Sequence, residues 1–523
     1  NASYPSGADT LFGGSAFLLG LPLIWAFQPF NAFVLATAVG PAWLLARRLG
    51  LDGLWAALAA LTAVLPALVY AYELFGSVKE VTALGMILTL GCLAVLHRRW
   101  LRGSPAGAVP FAVVLAAGVS ALGVAFGAWA LVAVAVLAAV LLGDLLAGRL
   151  ELRPALPPIA AGAMVALIAA WPTWSHLSRS VQVAQDIAST GNAGNLHAPL
   201  RAIQAFGVWL RGSYKLSPAG AALQITHALI LLMFLLAVLG SVRLLRTRSF
   251  ALAGWLAGML LAWLAVSELV TTWAGAKTLM LTSPVLLLLS WGGVSALQRP
   301  APDRSSWSLS SALSAPRPRP ALPPMRVVAS LLGLAIAGGV LVSDAMQYHG
   351  SNLAPTARYE ELASLDSRFA GRGPALFADF DEYALYELRD LDVGGPDFAY
   401  PPPALAAAAG GYGEPVDLNR APPEALLAYP LMVTRRDPSA SRPPSAYRLL
   451  WQGAYYEVWG RRPGAAAAMA HRALSGPAAA QCRQIGGLAR SAIVSGVGGA
   501  RLVAAESPEL VRISLAASSH PAR

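Results

Sequence analysis

Charge is scarce in this sequence, and lysine is scarcer still. Of 523 residues 12% are Asp, Glu, Lys or Arg and 56% are hydrophobic, with a mean hydropathy of +0.57, which excludes an ordinary soluble globule. There are only two cysteines, Cys92 inside an apolar run and Cys482 far downstream. They exclude a disulfide framework and a thiolate metal site. The seven histidines are scattered singly, without an HExxH pair, so no metal site is expected from them. The chain opens on NASYPSGADT, which has neither an initiator Met nor a basic region ahead of an apolar core. It is therefore no signal peptide, and upstream sequence is expected to be missing.

What is abundant is apolar length. Runs at 28–46, 54–72, 81–96, 108–125, 127–147, 158–172, 219–240, 250–267, 279–297 and 326–343 predict ten membrane helices, since about 18 or more residues cross a hydrocarbon core at 1.5 Å per residue. Residues 8–20 predict a shorter juxtamembrane helix at the end of an outer loop, 1–27. The fold class is mainly α: a polytopic helical bundle over 28–297, a Pro/Ser/Arg linker at 298–325, a last span at 326–343, an α/β domain at 344–463 and an Ala/Gly-rich tail at 464–523. In the α/β domain, RYEELASLDSRF and DEYALYELRDL read as helices, PALFADF and YPLMVTRR as strands, and YRLLWQGAYYEVW as a hairpin turning at Gln452 and Gly453.

The net charge of +11 would suit nucleic acid in a soluble protein. Here the excess sits in alternate loops, around Arg47, Arg98, Arg149, Arg243 and Arg299–Arg326, where it orients the chain. No nucleic-acid partner is expected. The positive-inside rule places these loops in the cytoplasm, and GSVKE, the loop 173–218, ELVTTWAGAK and the C-terminal domain outside a plasma membrane.

All three lysines, Lys79, Lys215 and Lys277, fall at the outer ends of spans, whereas the other 35 basic residues are arginine. Snorkelling anchors are the bland reading. The chemical reading is a basic patch, completed by Arg211, for a phosphate at the outer leaflet. Glu73 and Glu80 flank Lys79 and could satisfy it, and Glu268 could pair Lys277. Tyr4, Trp209 and Tyr214 are candidates for stacking on a sugar or acceptor, although interface anchoring is the commoner role of such rings. ADFDEY offers Asp379, Asp381 and Glu382, which could hold a divalent cation; capping of the following helix is the favoured reading. No other cofactor is indicated.

The succession YPSG, short helix, AFQPF, span, ARRLGL, span, GSVKE resembles the C-type membrane glycosyltransferases, in particular large actinobacterial-looking members with an appended outer domain. GNLHAPLRAIQAFGVWLRGSYK, AGAKTLMLTSP and AYRLLWQGAYYEVWGRR look like further segments of that group. The resemblance implies transfer of a sugar from a polyprenyl-phosphate donor to a cell-envelope glycan or lipid acceptor on the outer face. It also implies a catalytic acid in the first outer loop, for which this chain has no counterpart; it is expected to be a fragment without that acid. Asp9, Glu73 and Glu80 are the remaining weak candidates, and helix capping is the better reading for Asp9. A transporter or flippase of an anionic lipid is the alternative, and a scaffold whose outer domain binds glycan is a third.

Overall fold

In the computed structural model the described residues run from 5 to 494, except 101–103, 150–151, positions scattered within 177–197, 299–322, 352–355, 382, much of 396–414, 438–439, 464–469 and 475. Tyr4, Glu382, most of the 298–325 linker and the end of the tail therefore lie outside the described residues. Two compact units divide at Ser351/Asn352.

The first unit is helical: α1 (Gly7–Leu19), α2 (Leu23–Thr37), α3 (Val39–Arg48), α4 (Gly53–Val64), α5 (Ala67–Leu74), α6 (Val78–Val95), α7 (Val109–Leu122), α8 (Gly127–Leu146), α9 (Leu152–Ala169), α10 (Gly220–Arg246), α11 (Phe250–Ser267), α12 (Thr272–Gln298) and α13 (Pro323–His349). Each of the ten apolar runs is helical. Among the described residues, seven stretches are long and apolar enough to cross a bilayer, or eight with a bent pair counted as one. The chain is thus a multi-pass membrane protein.

The lower count has physical causes. Pro66, which cannot continue a hydrogen-bonded helix, breaks the 54–72 run into α4 and α5, bent by 54°. Runs 108–125 and 127–147 form one 41-residue stretch, interrupted at Gly123 with φ +63°. A straight helix of that length would measure about 60 Å, twice a hydrocarbon core. Both halves instead pack on the 18-residue α6. The 158–172 run gives α9, whose apolar stretch Arg153–Ala169 falls just short of a span.

The core of the bundle is α12, most of whose residues are buried. Polar side chains along it bond to neighbouring helices: Trp291 donates to Thr62 Oγ1 (2.8 Å), Ser290 to the Met233 carbonyl (2.9 Å) and Ser295 to the Leu49 carbonyl (2.9 Å). α10 lies against α12 at backbone distance, since a Cβ on Gly240 would stand 2.1 Å from the Leu289 oxygen, and one on Gly293 2.1 Å from the Leu236 oxygen.

In the second unit, α14 (Thr356–Phe369) precedes a sheet of order β2-β1-β3-β5-β4, formed by β1 (Ala375–Phe377), β2 (Val393–Gly394), β3 (Leu431–Arg435), β4 (Tyr447–Gln452) and β5 (Tyr456–Arg461). β1 runs parallel to β2 and β3, and the last pairings are antiparallel. Alternate residues feed two cores: Phe377 and Val433 pack with Leu362 and Leu365, while Leu376 and Met432 pack with Leu418 and Leu426. The hairpin turns one residue later than expected, through Gly453–Tyr455, because Glu361 of α14 accepts the Ala454, Tyr455 and Tyr456 N–H groups at 2.8, 2.9 and 2.8 Å. DEYALYELRDL yields only the single turn Ala384–Glu387 and a 3-10 turn. The tail contains a further helix, α15 (Ala478–Val494).

Candidate functional site

The sequence puts lysine and arginine loops alternately between spans, and the bundle sorts them to opposite ends. At the arginine end, the buried Asp144 carboxylate of α8 accepts from Arg98 (2.6 and 2.5 Å) and His97 (3.2 Å) and meets Arg149 at 3.1 Å. Arg243 lies beside Gly50, next to the Ser295–Leu49 bond. These contacts make Asp144 a structural clamp between spans.

At the lysine end, the GSVKE turn is built on Gly76, whose φ of +81° and contact with the Phe27 ring admit no side chain. The turn ends α5 and starts α6, which carries Lys79 and Glu80 on its first turn. Neighbours on a helix do not face each other, so Lys79 does not pair with Glu80. It reaches Asp9 of α1 instead, at 3.3 Å. Asp9 does sit in the first turn of α1, but the helix has no side-chain cap, so its main contact is this ion pair. Glu80 pairs with Lys277 of α12, which also packs on the Trp273 ring at 3.6 Å from the centroid. Glu268, the alternative counter-ion for Lys277, is exposed at the end of α11.

Lys215 lies over Phe75 (5.8 Å) and Tyr214 (5.9 Å), and Tyr214 meets Tyr72 (centroids 5.6 Å apart). This draws the 207–216 loop to the same end. Arg211 is exposed there. Trp209 and Tyr214 are buried, at 2% and 7% exposure. Trp209 donates its indole N–H to the Leu216 carbonyl and its backbone N–H to Ser343, each at 2.9 Å. Neither ring is an exposed stacking platform or a lipid-facing anchor, because both fill the core of their own loop.

Two buried acids at this end have no lysine. Glu73 (6% exposed) is on α5, where no described cation reaches its carboxylate, although its backbone carbonyl accepts from Asn31. Asp344 (7% exposed) is on α13, with both carboxylate oxygens buried and no hydrogen-bond partner among the described residues. Tyr70 lies within electrostatic reach of both acids and of Tyr348. The sequence reading missed Asp344 by ending the last span at 343. The helix runs on to His349, and no Gly or Pro stands between Ser343 and Gly350 to stop it. One turn further along α13, Gln347 donates to the Ala67 carbonyl at 2.8 Å and ties α13 to α5. An apolar cleft of about 370 Å³ lies between Gly212 and Val342, Ala345, Met346, His349 and Gly350; no lysine lines it.

In the C-terminal unit the ADFDEY acids bond to the protein itself. Asp379 accepts the Arg435 N–H (2.6 Å), and burial pushes its pKa up. Asp381 accepts from Tyr456 (2.7 Å), Arg435 (3.1 Å) and the Tyr383 N–H (3.0 Å). The expected helix cap is replaced by ties to β3 and β5, because the helix begins only at Ala384. Among the described residues, no group of three or more His, Cys, Asp or Glu could hold a metal.

The fold and this end of the bundle define a multi-pass helical protein that gathers its three lysines and four acids at one end of the bundle. No family model and no curated protein matches the chain. Similar solved structures include the Archaeoglobus fulgidus oligosaccharyltransferase in its apo form (15% identity, 79% of this chain, 53% of that one, TM-score 0.41). ArnT from Cupriavidus metallidurans bound to undecaprenyl phosphate is another (13% identity, 91% and 89%, TM-score 0.45). A third is the arabinofuranosyltransferase AftD from mycobacteria (17% identity, 86% and 36%, TM-score 0.47). The chain spans about half the length of the archaeal transferase. All three are partial likenesses, at identities too low to carry a function across.

Proposed function

We propose that the lysine end is the reaction face of a glycosyltransferase that uses a polyprenyl-phosphate-linked sugar at the outer leaflet, with a glycan or lipid as acceptor. The observation that supports this reading is the juxtaposition of Lys79, Lys277 and Lys215 with Asp9, Glu80, Glu73 and Asp344, brought to one end by α1, α5, α6, α12, α13 and the 207–216 loop.

Glycosyl transfer needs two kinds of group, and both are represented there. A carboxylate takes the proton of the acceptor hydroxyl as its oxygen bonds to the anomeric carbon; the bond from that carbon to the phosphate oxygen breaks, and the lipid phosphate leaves with the electron pair. Lys277 and Lys79 are suited to stabilise that phosphate once it displaces Glu80 and Asp9 as their counter-ions, with Lys215 and Arg211 at the same end of the bundle. Asp9 and Glu80 already hold lysines, which leaves Glu73 as the better base among the three acids picked from sequence, and Asp344 as a new candidate. The apolar cleft near Arg211 suits a hydrocarbon chain.

Proteoliposomes holding the chain together with the upstream segment expected to carry the first outer loop, given a radiolabelled polyprenyl-phosphate sugar and envelope extract, should move label into the acceptor fraction, and Glu73→Gln or Asp344→Asn should reduce that transfer. Label that stays on the donor in every preparation contradicts the reading.

Glu73 and Asp344, buried within spans, also favour a second reading, the movement of an anionic lipid. A fluorescent lipid phosphate crossing the bilayer without any sugar transfer would support it instead.

A further inference from the structure

Helix α15 has no buried residue, although its sequence is strongly sided. At 100° per residue, Ala478, Cys482, Ile485, Ala489 and Ile493 fall on one face, with Ala492 and then Gln481 at its edge. Gln484, Gly487 and Ser491 lie opposite, and Arg483 and Arg490, seven residues apart, share one flank. The helix contains no acid. Ile485 is 36% and Ile493 78% exposed, so the face is open most at its C-terminal end.

We propose that this face rests on an anionic bilayer surface, making α15 a second, in-plane membrane attachment of a chain already held by its spans. Two features favour lipid over a protein partner. The arginines border that face, where their stems cover acyl chains and their guanidinium groups reach headgroup phosphates. The charge is also complementary: two positive groups and no negative one over 17 residues, about 25 Å of helix lying flat.

The test uses the full chain reconstituted in vesicles. Cys482 is exposed on the apolar face and Cys92 is buried, so a polarity-sensitive fluorophore attaches to Cys482 under native conditions. In phosphatidylglycerol-containing vesicles the label should be quenched by a shallow nitroxide lipid, and its quenching by aqueous acrylamide should fall about threefold or more relative to the Ile485→Asp/Ile493→Asp variant. Arg483→Gln/Arg490→Gln, or pure phosphatidylcholine, should restore acrylamide access. Full acrylamide quenching with no lipid quenching overturns the proposal, and so does protection from both quenchers, which would mark a protein contact.

Discussion

Lys277 and Glu80 are 197 residues apart in sequence, yet they form an ion pair. This changes how either can be tested. Lys277→Ala alone would strand Glu80, 5% exposed, without a counter-charge, at a cost of about 3–5 kcal/mol. The double variant Lys277→Gln/Glu80→Gln removes the charge of both partners. It should melt within a few degrees of wild type, while Lys277→Ala should lose several times more, as read by thermal unfolding in detergent. Asp379 makes a pH prediction. Its pKa is raised in the fold, so the folded state binds more protons from about pH 3.8 upward. The stability it contributes is present below that pH and is lost as pH rises through the folded value. Asp379→Asn should remove that part of the slope in unfolding scans between acid and neutral pH. None of these pairings was legible in sequence. Periodicity and composition are local signals, whereas Lys79 finds its partner seventy positions earlier, in Asp9.

Elements were legible where a local pattern sufficed. Apolar runs, Gly/Pro breaks and two-residue alternation located the spans, the α/β domain and its hairpin. The failures were at ends and joints. α13 outran the change in composition by one turn and a half and carried Asp344 into the bundle. Pro66 turned one run into two helices, and Glu361 shifted the hairpin turn from a distance of more than ninety residues. Small residues at α10/α12 were not recognised as a contact, yet they decide how closely the helices approach. Gly240→Val or Gly293→Val would drive side chains into backbone 2.1 Å away, so neither variant should yield a monodisperse protein on size-exclusion chromatography. Gly338→Val, on α13 with open space around it, should behave as wild type. A normal profile for Gly240→Val would contradict the close packing.

On the scale of the whole molecule, the positive-inside rule predicts that the arginine end faces the cytoplasm and the lysine end the outside. A cysteine placed at Ser77, in the lysine-end turn, should react with an impermeant reagent in intact cells; one at Ser249, between α10 and α11, should react only after permeabilisation. The reverse pattern would put the lysine end in the cytoplasm. The central claim is that the lysine end holds a lipid-linked phosphate, and binding tests it most directly. In nanodiscs containing the full chain, polyprenyl phosphate should bind wild type about 10- to 100-fold more tightly than Lys277→Gln/Glu80→Gln, the range expected when a charge-assisted phosphate contact of roughly 1.5–3 kcal/mol is lost. Polyprenol, which lacks the phosphate, should not distinguish the two proteins. Equal affinity of both proteins for polyprenyl phosphate would contradict the account.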